Sequence, residues 1–187
     1  MIITKRYNRE RAVEYAQNWA LSRNPLFNDY TRIGGNCTNF VSQALLAGSC
    51  TMDFSEPFGW FYVSDDSRAP AWTGVEFLYR YLVGESGYPD NGSRPGPYGR
   101  EVRAAQTQIG DVVQLSKNGD FYHTLIITGY EPRDILVSAQ SDDSLDRRLT
   151  SYNFEGVRFI HIDGVRVEID DDDCFAALNE GIAIPSV

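Results

Sequence analysis

Gly34-Gly35-Asn36-Cys37-Thr38-Asn39-Phe40-Val41 is a glycine turn running straight into a helical pattern. Two glycines allow a tight, positive-φ path and a close approach of backbone to a ligand. Beyond them Phe40, Val41, Ala44 and Leu45 recur at helical spacing, and Gly48 reads as the residue that ends the helix. Cys37 falls at the helix start, one turn ahead of that apolar stripe. Unpaired backbone N–H groups and the positive end of the peptide dipoles gather there, which favours a thiolate and supplies donors for a developing oxyanion. The competing reading of these eight residues is a small buried hydrophobe after an ordinary turn.

Working outward, a first helix is expected from Asn8 as N-cap to about Arg23, with Ala12, Val13, Ala16, Trp19 and Ala20 on one face and Asn24-Pro25 as its stop. Thr73 and Glu76 suggest a capping box at the head of a third helix carrying Val75, Leu78, Tyr79 and Leu82, with Trp72 just before it. Between Gly84 and Ile109 no period holds, and the prolines and glycines as far as Gly99 read as loop. Four strands follow: Asp111 to Ser116, Tyr122 to Gly129, Ile135 to Gln140 and Val157 to Ile162. Helices first and strands afterwards indicate an α+β fold, with N-terminal helices packed on a C-terminal antiparallel β-sheet.

The length of 187 residues suits one domain spanning 1–187, with 165–187 as an acidic C-terminal extension. A net charge of −9 argues against a nucleic-acid surface and against an anionic membrane face, both of which require lysine and arginine. The acidic run Glu168, Asp170, Asp171, Asp172 and Asp173 lacks the spaced ligands of a calcium loop and reads as solvated. Three cysteines cannot all pair, and none has a partner at metal-ligand spacing, so neither a disulfide scaffold nor a zinc site is expected. Met1 to Asn8 lacks the apolar stretch of a secretion signal.

A cysteine nucleophile needs a base, usually histidine. Of the two histidines, His161 lies between Ile160 and Ile162 and looks like the solvent-facing member of an alternating strand. His123 opens a strand at the end where a sheet meets loops, and it is the better candidate. If Glu131 to Asp134 is the hairpin turn, His123 stands across from Ser141 or Asp142 with Gln140 close by. Gln140 or Asp142 then orients the imidazole, and a one-residue slip in register decides between them.

Taken in order, these pieces resemble the bacterial putative amidase domain family, related to the papain-like cell-wall hydrolases of the NlpC and CHAP types. The resemblance rests on Tyr7-Asn8-Arg9, Trp19-Ala20, Arg23-Asn24-Pro25, the run Asn36 to Gln43, Gly110-Asp111-Val112-Val113, the His123 strand and Leu136 to Gln140. It implies a papain-like or NlpC-like fold in which Cys37 attacks a carbonyl, His123 acts as base and then acid, and a polar residue on the next strand orients the ring. The family usually carries a histidine where this chain has Gln140; related cysteine peptidases use Asn, Gln or His there.

The reading is therefore a cysteine amidase or peptidase working through an acyl-enzyme, without metal or cofactor, on a peptide or peptidoglycan-like substrate. A monomer with no nucleic-acid or membrane partner is expected. Acyl transfer to an amine and a non-catalytic peptide-binding domain on a decayed peptidase scaffold are the alternatives. Asn36 is a candidate second oxyanion donor or a helix cap. Trp60, Trp72 and Tyr122 are candidates for lining a substrate groove.

Overall fold

The computed structural model describes residues 1–84, 93–169 and 173–185. Asn8 caps α1 (Arg9–Trp19) as expected, its side chain accepting from the Arg11 backbone N–H at 3.1 Å. The helix ends at Trp19, short of Arg23. The next helix, α2 (Cys37–Ser49), is buried along its whole length. Gly48 does not end it. Its Cα lies against the Tyr7 ring and the Asn8 carbonyl, where a Cβ would sit 2.3 Å from the ring, and the helix closes instead on Cys50 in the left-handed region at φ 51°.

A helix buried all round must satisfy its polar side chains internally. Asn39 Oδ1 accepts from the Trp72 indole N–H at 2.9 Å, and Ser42 accepts from the Trp60 indole at 3.1 Å while donating to the Trp72 carbonyl. Gln43 accepts from the Tyr15 hydroxyl at 2.8 Å. Trp60 and Trp72 are fully buried, so they are core and not groove, and Phe61 and Tyr62 lie beside them.

The capping box expected at Thr73 does not form. Thr73 closes the short α3 (Pro70–Thr73), α4 (Val75–Val83) starts after Gly74, and Glu76 accepts from Arg158 at 2.8 Å.

Nine strands are present among the described residues: β1 (Ile3–Lys5), β2 (Tyr62–Ser64), β3 (Ser67–Arg68), β4 (Gly96–Val102), β5 (Val112–Lys117), β6 (Asp120–Glu131), β7 (Asp134–Ala139), β8 (Ser144–Arg148) and β9 (Gly156–Val167). The main sheet runs β1-β9-β5-β6-β7-β8, with β4 also on β9, and all its pairings are antiparallel. The four expected strands are β5, β6, β7 and β9. The Pro-rich stretch read as loop contains β4, and residues 85–92 of it lie outside the described residues. β4 pairs only with β9, so the missing N–H of Pro97 is tolerated at the edge.

The result is α+β, with β1 and β4 showing that the sheet is not built from C-terminal strands alone. Alternation on the central strands divides the interior. Val112, Ile126 and Ile160 face the helices, while Val113, Leu115, Leu125, Ile127, Val137 and Phe159 form a second cluster on the other face.

Parts of the segment 165–187 pack against the rest of the chain. Val165 and Val167 are buried in β9, and α5 (Phe175–Asn179) places Leu178 in the helix-side core. A disulfide joins Cys50 to Cys174, contrary to expectation, and leaves Cys37 as the free thiol. The two partners are 124 residues apart, a separation that offers no local spacing signal. Of the acidic run, residues 170–172 lie outside the described residues, and Glu168 is exposed.

Candidate functional site

The turn before Cys37 has the conformation its glycines allow, with φ of 105° at Gly34 and 111° at Gly35. Asn36 occupies the N-cap position of α2 at φ −108°, ψ 4°, but its side chain makes no capping hydrogen bond. Its Oδ1 accepts from the Tyr30 backbone N–H and from Asn39 Nδ2, and its own Nδ2 donates to Gln140 Oε1 at 2.5 Å. The helix-cap reading of Asn36 does not match this arrangement, and one donor of its side-chain amide is engaged by Gln140. The start of α2 therefore lacks a side-chain cap from Asn36.

Cys37 is 7% exposed and His123 8%. Two short links bring their chain segments together. Thr38, next to the cysteine, has its hydroxyl 2.8 Å from that of Thr124, next to the histidine. The Asn36 backbone N–H donates to the hydroxyl of Ser141, which lies two residues past the end of β7, the strand that pairs with β6 as far as Ile126–Ser138. Among the described residues no hydrogen bond joins the Cys37 thiol to the His123 ring. The thiol contacts Thr38 Oγ1 at 3.9 Å, and the buried His123 Nε2 has no hydrogen-bond partner. Catalytic hydrogen bonds are often long in a free enzyme and tighten on substrate.

His123 pairs with Leu115 across β5 and lies at the open end of the second cluster, its ring centroid 6.0 Å from Tyr122 and 5.9 Å from Tyr152. Burial pushes its pKa down to about 4; the Asp142 carboxylate opposes that shift and Arg147 adds to it. Asp142 is itself paired with Arg147 at 3.0 Å, and the Arg147 guanidinium covers the Tyr152 ring.

Gln140 is placed beside the cysteine turn, away from the base. Its Oε1 accepts from Asn36, and its Nε2 donates to the Trp19 and Ser22 carbonyls at 2.7 Å each. With both ends of the amide engaged in these bonds, it makes no hydrogen bond to the His123 ring among the described residues, and the charges near that ring are Asp142 and Arg147. Tyr122 is 44% exposed at the strand end, the one aromatic of the three groove candidates that faces solvent.

His161 is not the solvent-facing histidine its strand suggested. Its Nδ1 lies 2.7 Å from Asp111 Oδ2, within a cluster that includes Arg9. Reading the residues singly missed Thr38 and Thr124, and gave Ser141 only as a register partner of His123; the signal of the two threonines was position alone, each next to a candidate already named. Among the described residues no three His, Cys, Asp or Glu side chains gather as a metal-binding group.

These features define an α+β domain whose candidate site lies where the uncapped start of a buried helix meets the ends of two strands. Residues 6–162 match the family described as the putative amidase domain, and the chain belongs to that family. Over 155 residues it is 31% identical to the uncharacterized protein YhbB of Bacillus subtilis strain 168, covering 80% of this chain and 45% of that protein. The chain thus spans about half the length of this relative. No solved structure matches it. The family points to an amidase-like function.

Proposed function

We propose that the protein is a cysteine amidase or peptidase of papain-like type, with Cys37 as nucleophile and His123 as general base. The observation that carries this reading is the free thiol at an uncapped helix start, held against the histidine strand by the Thr38–Thr124 contact. With its pKa pushed down, His123 is neutral near pH 7 and able to take a proton. In the reaction His123 accepts the thiol proton, and Cys37 Sγ attacks the amide carbonyl while its backbone N–H faces the oxyanion. The proton then passes to the leaving amine, a thioester forms, and water activated by His123 releases the acid.

The substrate we assign is an amide bond in a cell-wall peptide, as the resemblance to the NlpC and CHAP types implies. Wild-type protein, Cys37→Ser and His123→Ala are incubated with peptidoglycan fragments and with a thiol-directed probe. Release of a new amine or carboxyl by wild type alone supports the proposal. Equal labelling of Cys37→Ser would remove Cys37 as nucleophile, and His123→Ala with an unchanged labelling rate near neutral pH would remove the pair.

A further inference from the structure

Gln140 and Ser141 close on the residue before the nucleophile from two directions. Gln140 Oε1 takes the Asn36 side-chain amide, Ser141 Oγ takes the Asn36 backbone N–H, and Gln140 Nε2 is anchored on the Trp19 and Ser22 carbonyls. Gln140 and Asn36 are each 1% exposed, so the Gln140 side of this network is shielded from water, while Ser141 is exposed. Ser141 holds φ 84°, a left-handed conformation that is costly for a residue with a side chain. That conformation places its hydroxyl against Gly35 and Asn36, where a Cβ on Gly35 would already touch Ser141 Oγ at 3.4 Å. Asn36 itself sits at φ −108°, ψ 4°, in the sparsely populated bridge region. Its two dihedrals set the direction of the following peptide, whose N–H belongs to Cys37.

We infer that Gln140 and Ser141 are positioning residues that act through Asn36 on the oxyanion donor of Cys37, and not on His123. The inference rests on the reading of Cys37 as nucleophile. It divides the three residues after β7 between the two halves of the site: Gln140 and Ser141 hold the nucleophile's peptide, and Asp142 acts on the base. A side-chain amide suits the first task because it can accept from Asn36 and donate to the Trp19 and Ser22 carbonyls at once, which a carboxylate cannot do.

Two reagents separate oxyanion placement from general damage. A p-nitrophenyl ester acylates the thiol: sulfur bonds to the carbonyl carbon, an oxyanion develops, and p-nitrophenolate leaves with its electron pair. Iodoacetamide alkylates the same sulfur by displacing iodide and develops no oxyanion. Both rates are measured across pH, with melting temperatures, for wild type, Ser141→Gly, Gln140→Met, Asp142→Asn and His123→Ala.

Ser141→Gly removes the hydroxyl while giving φ 84° to a residue that adopts it freely, so relief of backbone strain offsets part of the cost of losing the Asn36 hydrogen bond and the variant is expected to fold, with its melting temperature measured alongside. In Ser141→Gly and Gln140→Met, acylation should fall about tenfold or more relative to alkylation, the scale of a misplaced oxyanion donor. The midpoint of the acid limb should stay where it is in wild type. Asp142→Asn should instead move that midpoint down, because Asp142 is the charge that raises the His123 pKa against burial and Arg147.

An acylation-to-alkylation ratio unchanged in Ser141→Gly overturns the inference, as does an acid limb displaced by Gln140→Met. Should Gln140→Met fail to fold, Ser141→Gly decides alone. His123→Ala with both rates intact would sink the Cys37–His123 pairing, a result distinct from any behaviour of the Ser141 and Gln140 variants.

Discussion

The hydroxyls of Thr38 and Thr124 lie 2.8 Å apart, one residue after Cys37 and one residue after His123. Both threonines are buried at 1% and 0% exposure, and Thr124 also accepts from Gln114 Nε2 at 3.3 Å. The start of α2 is thereby tied to the helix-facing side of β6, one residue along from His123, whose ring lies beside Tyr152 at the second cluster.

Thr38→Val or Thr124→Val leaves the opposite hydroxyl buried with one partner fewer, so each is expected to destabilise by about 1–3 kcal/mol. The double variant should cost less than the sum, since two valines need no hydrogen bond between them. Urea melts of the four proteins measure this, and a double variant as costly as the sum would mean that the two hydroxyls do not interact.

The pH dependence of stability should carry the mark of His123. Its folded pKa, about 4, lies below the ordinary value of 6.5, so the unfolded chain binds the proton more tightly. The contribution is complete above about pH 6.5 and is lost as pH falls from there toward 4, the loss totalling about 3 kcal/mol at the acid end. In His123→Gln, whose side chain does not titrate, that part of the acid loss should vanish. Melts between pH 4 and 7 give the comparison.

Much of the framework was legible because it is local. Asn8 announces α1 through one side chain, and β5, β6, β7 and β9 announce themselves through β-branched runs that alternate between two buried faces. The parts that were not legible depend on distant partners. β4 is hidden by prolines that an edge position tolerates, and Gly48 looks like a helix stop because the Tyr7 ring that needs the space is 41 residues earlier. The polar residues Asn39, Ser42 and Gln43 in the run after Cys37 look chemical in sequence. In the fold they are braces to Trp72, Trp60 and Tyr15. The site shows the same division. The Cys37 turn was readable from its glycines, whereas the target of Gln140 was not, because a hairpin register says which residues are level but not which neighbour a side chain bonds.

The Cys50–Cys174 disulfide makes a prediction about thiol count. Unreduced protein should show one reactive thiol per chain after denaturation, and reduced protein three. Because the bridge ties α5 to the end of α2 across 124 residues, reduction should destabilise the fold by about 2–5 kcal/mol. Cys37 lies at the other end of α2, roughly 18 Å away at 1.5 Å per residue, so its alkylation rate in the folded state should be unaffected. Mass spectrometry of alkylated protein with and without reductant reads both.

Asp111 should be the costliest polar residue to remove. It is fully buried, and its carboxylate accepts from Arg9 Nη1 at 2.6 Å, from the Ile162 backbone N–H at 3.0 Å and from the Gln108 backbone N–H at 2.8 Å, with His161 Nδ1 2.7 Å away. These contacts pin the first turn of α1 to β9 and to the chain entering β5. Asp111→Ala removes one acceptor from several donors at once and leaves the largely buried Arg9 without its counter-charge, so a loss of about 3–5 kcal/mol is expected. Asp111→Asn keeps the shape but places an N–H toward at least one donor, so it should recover only part of that loss. The candidate site stands farther along the same sheet, where Leu115 faces His123, and Cys37 alkylation in the folded fraction should remain at the wild-type rate. A variant that folds as stably as wild type would show that the Asp111 cluster contributes no net stability, and one that loses alkylation without losing stability would assign Asp111 to the chemistry.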